Sequence, residues 1–367
     1  MKKIGIDARL YSQTGIGTYL KNLIYYLDKK DLKDKLIYIY LMPEDYKNLT
    51  LKNKNILKRK VYDRWHTVGE QFSFAIKLYQ DNLDLMHFTY FSYPVFYFKK
   101  FIATVHDVTP LLFKTGKAST KNKFLYHIKH LFFRIILRCQ IMCAVKIIVP
   151  TNSVKKQLEE IYGNKISKKT SFIYEGVNYQ LLDSKENKKL NKKFDNFFIY
   201  VGNFYPHKNI EKLIRAFATV KTSSKLFLLG PNDFFKSRLV QLINKLEQKN
   251  RIIFINGLSM EDLVFFYKNA RALIHPSISE GFGLPLIEAS YFACPIIASN
   301  TPVFKELLGT NYLSFDPNDV EDIAEKINNF IDNKPKFNYT NITDKYSFKK
   351  MADETLGIYQ KVLSSMI

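Results

Sequence analysis

Two carboxylates, Glu280 and Glu288, frame the segment SISEGFGLPLIEAS, Ser277 to Ser290, directly after an apolar run that ends at His275. Between them Gly281 and Gly283 permit close backbone approach or unusual dihedrals. Pro285 stands where the first turn of a helix tolerates a missing amide donor. A helix is therefore expected to begin near Leu284. Its free amides, with the positive end of the helix dipole, form an anion site suited to a diphosphate. Glu280 precedes the helix and Glu288 lies about one turn inside it, so one can meet a sugar and the other a ribose. A glycine-proline loop capping a helix between two solvated glutamates has the same spacing.

Three further segments carry chemistry. In YVGNFYPHKN, Tyr200 to Asn209, a strand ends at Gly202 and a basic loop through Asn203 leads to Lys208, which can neutralise a phosphate or simply be solvated. In SQTGIGTY, Gly15 and Gly17 precede a helix either as a phosphate-cradling turn, without the three glycines of a full dinucleotide pattern, or as a plain strand-to-helix connection. In TVHDVTP, His106 and Asp107 follow the buried-looking strand Phe101 to Val105, so His106 either faces a cleft or bonds locally in a turn.

These residues need elements to position them. Short apolar runs alternate with helical patterns from the start: Ile4 to Ile6, Thr18 to Leu27, Leu36 to Leu41, then Phe101 to Val105 and Lys146 to Val149. This alternation predicts a parallel sheet covered by helices. It begins again at Phe197 to Val201, a helix over Asn209 to Val220, and strands at Lys225 to Leu229, Arg251 to Ile255, Ala272 to His275 and Pro295 to Ser299. Between the two units the polar run DSKENKKLNKKFDN, Asp183 to Asn196, reads as a solvated connection, with the hinge over 177–196. Three domain segments follow: 1–176, 177–345, and a C-terminal helix over 346–367 expected to pack back on the first. No fixed-period repeat appears.

Composition bounds the class. A chain of 367 residues, 46% hydrophobic and 25% charged, suits two ordinary globular domains rather than a disordered or disulfide-built protein. The net charge of +22 favours anionic partners without choosing among them. Cys139, Cys143 and Cys294 make neither a metal-ligand pair nor a complete disulfide set, which points to a reducing cytoplasm. The opening MKKIGIDARL reaches Asp7 and Arg9 before any signal-peptide core. The most membrane-like stretch, Leu131 to Pro150, is broken by Arg134, Arg138 and Lys146.

Taken together, these motifs resemble the retaining glycosyltransferases of family four, and the match in order and spacing runs over nearly the whole chain. Glu280, seven residues, then Glu288 is that family's signature. The glycine loop at Gly15 to Gly17, the His106-Asp107 pair, PTNS at Pro150 to Ser153 and the YVGN segment with Lys208 extend it. The resemblance implies an α/β protein of the GT-B type, two Rossmann-like domains facing across a cleft. It implies a nucleotide-sugar donor, with Lys208 on the diphosphate, Glu288 on the ribose hydroxyls, Glu280 near the donor sugar, and backbone amides of Phe282, Gly283 and Leu284 assisting. Gly15, Gly17, Gly202 and Asn203 would line the donor, and His106 would contact the sugar from the opposite domain. The segment Asn256 to Ser259 would lie near the base. Many relatives carry arginine where this chain has Asn203, whereas mannosyltransferase-like relatives tolerate asparagine, which makes GDP-mannose the first donor expectation.

No Asp-x-Asp of the kind that holds a metal against a diphosphate occurs, so no cofactor or metal is expected. The expected acceptor is a glycan or polyprenyl-linked hydroxyl in cell-surface polysaccharide synthesis. Lys123 to Ala144 places Phe124, Ile128, Leu131, Ile135 and Cys139 at helical spacing among Lys129, Arg134 and Arg138, so it either touches an anionic membrane or packs into the first domain. Localisation is expected in the cytoplasm, at the inner face of the plasma membrane if that helix touches lipid. A nucleotide-sugar epimerase shares the architecture, and a nucleic-acid binder would explain the charge. The glutamate pair argues against the first. Against the second stand the spread of the charge and the lack of a zinc finger, RNA-binding aromatic signature or basic arm.

Overall fold

The computed structural model describes residues 1–112 and 123–365, and over 112 and 123–130 the backbone alone. Contacts divide the chain into two units. The first comprises 1–111, the described part of 119–175 and the helix Phe348–Ser364; the second runs from Gly176 to Ser347.

Among the described residues the first unit holds seven parallel strands: β1 (Lys2–Asp7), β2 (Lys35–Leu41), β3 (Ile56–Lys60), β4 (Leu85–Phe88), β5 (Phe101–Thr104), β6 (Lys146–Val149) and β7 (Thr170–Phe172). Their order is β3-β2-β1-β4-β5-β6-β7. The second unit holds six: β8 (Phe197–Val201), β9 (Lys225–Leu229), β10 (Ile252–Ile255), β11 (Leu273–His275), β12 (Ile296–Ser299) and β13 (Leu313–Phe315), ordered β10-β9-β8-β11-β12-β13. Every pairing is parallel. The central strands read as unbroken apolar runs because helices cover both of their faces, as in the fully buried FFIY of β8.

In each sheet the strand order reverses once, between β1 and β4 and between β8 and β11. Loops leaving neighbouring strands at such a point run to opposite faces and leave a crevice at the strands' carboxyl ends, where ligands bind in open α/β sheets. Asp7 and Phe88 end the strands at the first crevice, Val201 and His275 those at the second.

Most expected strands and helices fall within one or two residues of their observed limits. The polar run Asp183 to Asn196, read as a solvated connection, is largely exposed and also touches the second unit. Phe194 packs its ring against Phe227 at 5.1 Å and Phe266 at 5.3 Å, and the Asn187 side-chain amide donates to Asp262 at 2.7 Å. One aromatic side chain among many polar ones supplied the anchor.

The helix Lys123–Cys143 buries Leu137, Gln140 and Ile141, whereas Leu131 and Ile135 of the expected apolar stripe are exposed. Phe124, Ile128 and Lys129 fall outside the residues whose side chains are described. No described helix is long and apolar enough to cross a membrane.

The carboxyl end of β1 is fixed by a buried charge network. Arg9 reaches Asp7 Oδ2 and Glu70 Oε1, each at 2.6 Å, and lies over the Phe74 ring at 4.0 Å. Burial works against the guanidinium charge, but Asp7 and Glu70 more than restore it. Glu70, fully buried, also takes the Ser92 hydroxyl and, at 3.0 Å, the His66 amide. Three loops at the first crevice therefore share one carboxylate. Replacing Arg9 by Met leaves two buried carboxylates without their cation, and the first unit should lose about 3 kcal/mol or more. Urea unfolding followed by emission of Trp65, the single tryptophan, checks this.

Candidate functional site

The second crevice collects the expected residues from two loops. After β8 the chain turns at Gly202, whose φ is +146°, and the Tyr200 hydroxyl closes the turn by donating to the Asn203 carbonyl at 2.6 Å. A Cβ at Gly230, beyond β9, would sit 2.1 Å from the Gly202 carbonyl oxygen, so only glycine lets these two loops pack. Pro206–Lys208 forms a 3-10 turn ending at Asn209 (φ +61°), which starts the helix Ile210–Thr219 and donates its amide to the Pro317 carbonyl at 2.7 Å.

Lys208 is thereby aimed at the loop that follows β11. Its Nζ lies 2.5 Å from Glu280 Oε1, with 16% and 12% of the two side chains exposed. The same Oε1 accepts from His275 Nε2 at 3.1 Å, and the His275 ring stacks on Tyr200 at 5.6 Å. The Ile278 amide donates to the His207 carbonyl at 2.9 Å and stitches the loops together. Burial pushes Glu280 towards the neutral form, but the Lys208 charge and the His275 hydrogen bond overcome it and hold the carboxyl well below its usual range. Burial lowers His275, against the pull of Glu280, so its ring stays neutral. His207 is held down to about 4 by burial and by Lys208.

The helix after Glu280, Leu284–Tyr291, starts where expected. Gly283 caps it at φ +98°, with Pro285 in its first turn. A Cβ at Gly283 would press within 3.1 Å of Phe304 and 3.2 Å of Leu286. Phe282 is buried, its ring edge-on to Tyr346 at 5.7 Å. Glu288 lies inside this helix, buried, and accepts from the Tyr267 hydroxyl at 2.7 Å. Burial raises its carboxyl to about 7, with the Tyr267 bond pulling the other way. The segment Asn256 to Ser259 turns at Gly257 (φ +70°), and Ser259 with Asp262 forms a capping box for the helix Met260–Asn269.

Gly15, Gly17 and His106 belong to the first unit. Gly15 adopts φ +73° beside open space, whereas a Cβ at Gly17 would lie 2.5 Å from the Tyr11 carbonyl oxygen; one glycine answers a dihedral and the other a contact. His106 places Nε2 3.0 Å from the Thr89 carbonyl oxygen, which can only accept, so that nitrogen carries a proton. Its Nδ1 faces Glu175 at 3.4 Å, and its ring meets Tyr19 edge-on at 4.7 Å. Thr151 of the PTNS segment caps the helix Asn152–Tyr162 by accepting from the Val154 amide.

Sequence reasoning missed the groups that hold these side chains. Met86, Phe88, Ala103 and Val105 enter one core, so alternation turns His87 and Thr104 to the opposite face of the sheet. There His87 Nε2 meets Thr104 Oγ1 and its Nδ1 meets the Tyr359 hydroxyl, both at 2.7 Å. Thr104 in turn faces the Tyr19 hydroxyl at 3.4 Å. Through Tyr359 the C-terminal helix Phe348–Ser364 thus joins a buried polar chain that reaches the Tyr19 side chain supporting His106. Burial lowers His87 to about 3, which keeps it neutral. A histidine inside the apolar strand LMHF was the visible signal; its partners are 17 and 272 positions away. His275, Tyr267 and Glu175 were likewise unreadable as partners without the fold.

A family model described as glycosyl transferases group 1 matches residues 183–349. The O-antigen chain mannosyltransferase RfbU of Salmonella typhimurium is 31% identical over 259 residues, covering 69% of this chain and 71% of that protein. The sucrose-phosphate synthase structure from Thermosynechococcus elongatus superposes with a TM-score of 0.78 at 16% identity over 100% of both chains. Anabaena HepE, solved with UDP and glucose, gives 0.75 at 16% identity, covering 98% of this chain and 100% of that one. The fold is therefore that of GT-B glycosyltransferases.

Burial raises the Glu288 carboxyl in the folded state, so the folded chain prefers it protonated. Its contribution to stability is full below the ordinary value of 4.5 and is lost as pH rises through about 7. Relative to wild type, Glu288→Gln should gain thermal stability progressively across that window and level off above it. The gain is on the order of 3 kcal/mol. Melting curves of both proteins at matched pH values measure it.

Proposed function

The chain belongs to the group 1 glycosyl transferases, and on that premise we propose that it is a retaining, metal-independent hexosyltransferase. It moves mannose from GDP-mannose to a hydroxyl of a glycan or polyprenyl-linked acceptor in cell-surface polysaccharide synthesis. The observation that carries this reading is the part-buried Lys208–Glu280 pair at the switch point of the second sheet, beside a helix start without a side-chain cap. Similarity to an O-antigen mannosyltransferase supports the sugar and the pathway, and a fold likeness to a protein solved with UDP and glucose supports a nucleoside diphosphate donor.

Breaking the bond between sugar and diphosphate leaves negative charge on the phosphate, so catalysis needs positive groups already oriented where that charge grows. Lys208 and the amides of Gly283 and Leu284 supply them. Lys208 does so from within an ion pair, and an arriving phosphate must draw its ammonium away from Glu280 or share it. Gly202 and Asn203 bring backbone close to the same phosphates. Glu280, kept ionised by Lys208 and His275, faces the sugar, where it stabilises positive charge developing at the anomeric carbon. Glu288, poised near neutrality, offers both a donor and an acceptor to the ribose hydroxyls. His106 meets the sugar, and Gly15 and Gly17 bring the first loop close to the donor. The acceptor hydroxyl attacks on the face the diphosphate leaves, and a diphosphate oxygen takes its proton. Neither glutamate acts as a nucleophile.

Incubation of the purified protein with a panel of nucleotide sugars, EDTA and a polyprenyl-linked or simple sugar acceptor tests this directly. Release of GDP from GDP-mannose with a product of unchanged anomeric configuration is the expected result. Inactivity restored by a divalent metal would contradict metal independence. Lys208→Ala should lose roughly 3 kcal/mol of transition-state stabilisation, about a hundredfold in turnover. Unchanged turnover would remove Lys208 from the mechanism.

A further inference from the structure

Large apolar side chains left in solvent concentrate in the first unit. The helical stretch 70–80 exposes Phe72 and Ile76, four residues apart and each 57% exposed, and the loop after β4 exposes Phe96 and, at 82%, Phe98. These tips belong to one built surface. The rings of Phe72 and Phe96 lie 5.8 Å apart. The Tyr79 hydroxyl donates to the Phe96 carbonyl at 3.0 Å and accepts from the Phe98 amide at 2.9 Å, which pins the loop with both phenyl groups outward. On its other side the loop packs against the helix Lys123–Cys143: Gln140 donates to the Tyr90 carbonyl at 2.8 Å, and Phe91 meets Phe133 at 6.0 Å. That helix exposes Phe132 and Ile135, with Arg134 and Arg138 beside them. An apolar surface held open in this way marks an interaction site.

Charge selects the occupant. Over 85–158 the chain carries twelve Lys and Arg against a single acid, Asp107, which is half of the net +22. The basic excess, expected to be spread along the chain, is thus concentrated in one stretch of the sequence, which includes the loop after β4 and the helix Lys123–Cys143. Exposed aromatic and aliphatic tips beside Lys100, Arg134 and Arg138 suit a bilayer interface: the tips enter the acyl boundary and the cations stay among anionic headgroups. A nucleic acid would meet the charge but leave the aliphatic tips in water.

We propose that Phe72, Ile76, Phe96, Phe98, Phe132 and Ile135 form a membrane-docking face that seats the first unit on anionic lipid. This goes beyond the transfer reaction and does not depend on the identity of the donor. The test is sedimentation of the intact protein with vesicles of phosphatidylglycerol mixed with phosphatidylcholine, and of phosphatidylcholine alone, at low and high salt. Wild type should pellet with the anionic vesicles, far less with the neutral ones, and less in high salt. The double variant Phe96→Ser/Phe98→Ser, altered only at exposed tips and checked by an unchanged melting temperature, should lose about tenfold in vesicle partition. Arg134→Glu/Arg138→Glu should abolish the preference for anionic lipid. Three results would overturn the proposal: wild type left in the supernatant, a double-serine variant that pellets as well as wild type, or vesicle binding fully displaced by RNA at equal charge.

Discussion

An ammonium and a carboxylate largely withdrawn from water are tolerated best when each compensates the other, and Lys208 with Glu280 meets that condition at 2.5 Å. Both ends of the pair are fixed from behind. Asn209 anchors the lysine loop to the Pro317 carbonyl, while His275, stacked on Tyr200, supplies the second hydrogen bond to the glutamate. Neither residue comes from a strand or an α-helix. Each sits on a loop leaving a strand at the point where the sheet reverses its order, so a parallel sheet and its handed connections bring two segments 72 positions apart to one spot.

The first unit repeats the plan with different chemistry. Its crevice is fixed by Arg9, Asp7 and Glu70, and its histidine is supported by an aromatic edge whose hydroxyl belongs to a buried polar chain. That chain ends at Tyr359 on the last helix. The end of the chain therefore contributes to the surroundings of His106 without touching it. Glycines enter where backbones must meet: Gly17 under the Tyr11 carbonyl and Gly230 against Gly202.

Much of the architecture was legible because parallel strands covered on both faces leave unbroken apolar runs, as at Phe197–Val201 and Lys225–Leu229. The candidate site residues were legible for a related reason: the turn from strand to helix demands Gly283 and Pro285 in fixed places, and Glu280 and Glu288 are read relative to them. Partners were not legible. Nothing in the sequence pairs His87 with Tyr359 or Glu288 with Tyr267, since those contacts depend on which strands are neighbours and on which face a helix lands. Nor did the sequence tell which side of the helix Lys123–Cys143 faces the core, because its apolar residues exceed one face. The contacts of the polar run 183–196 were not legible for the opposite reason, since one phenylalanine among polar residues gave no pattern to read.

The central physical claim is that Lys208 is shared between Glu280 and the donor's phosphates. Calorimetric titration of GDP and UDP into wild type and Glu280→Gln tests it most directly, because it needs neither sugar nor acceptor. If the ammonium is shared, removing the carboxylate charge frees it, and the variant should bind its nucleoside diphosphate at least as tightly as wild type. Binding weakened by about tenfold or more would show that Glu280 holds Lys208 in place for the phosphate and does not compete with it, contradicting an exchangeable pair.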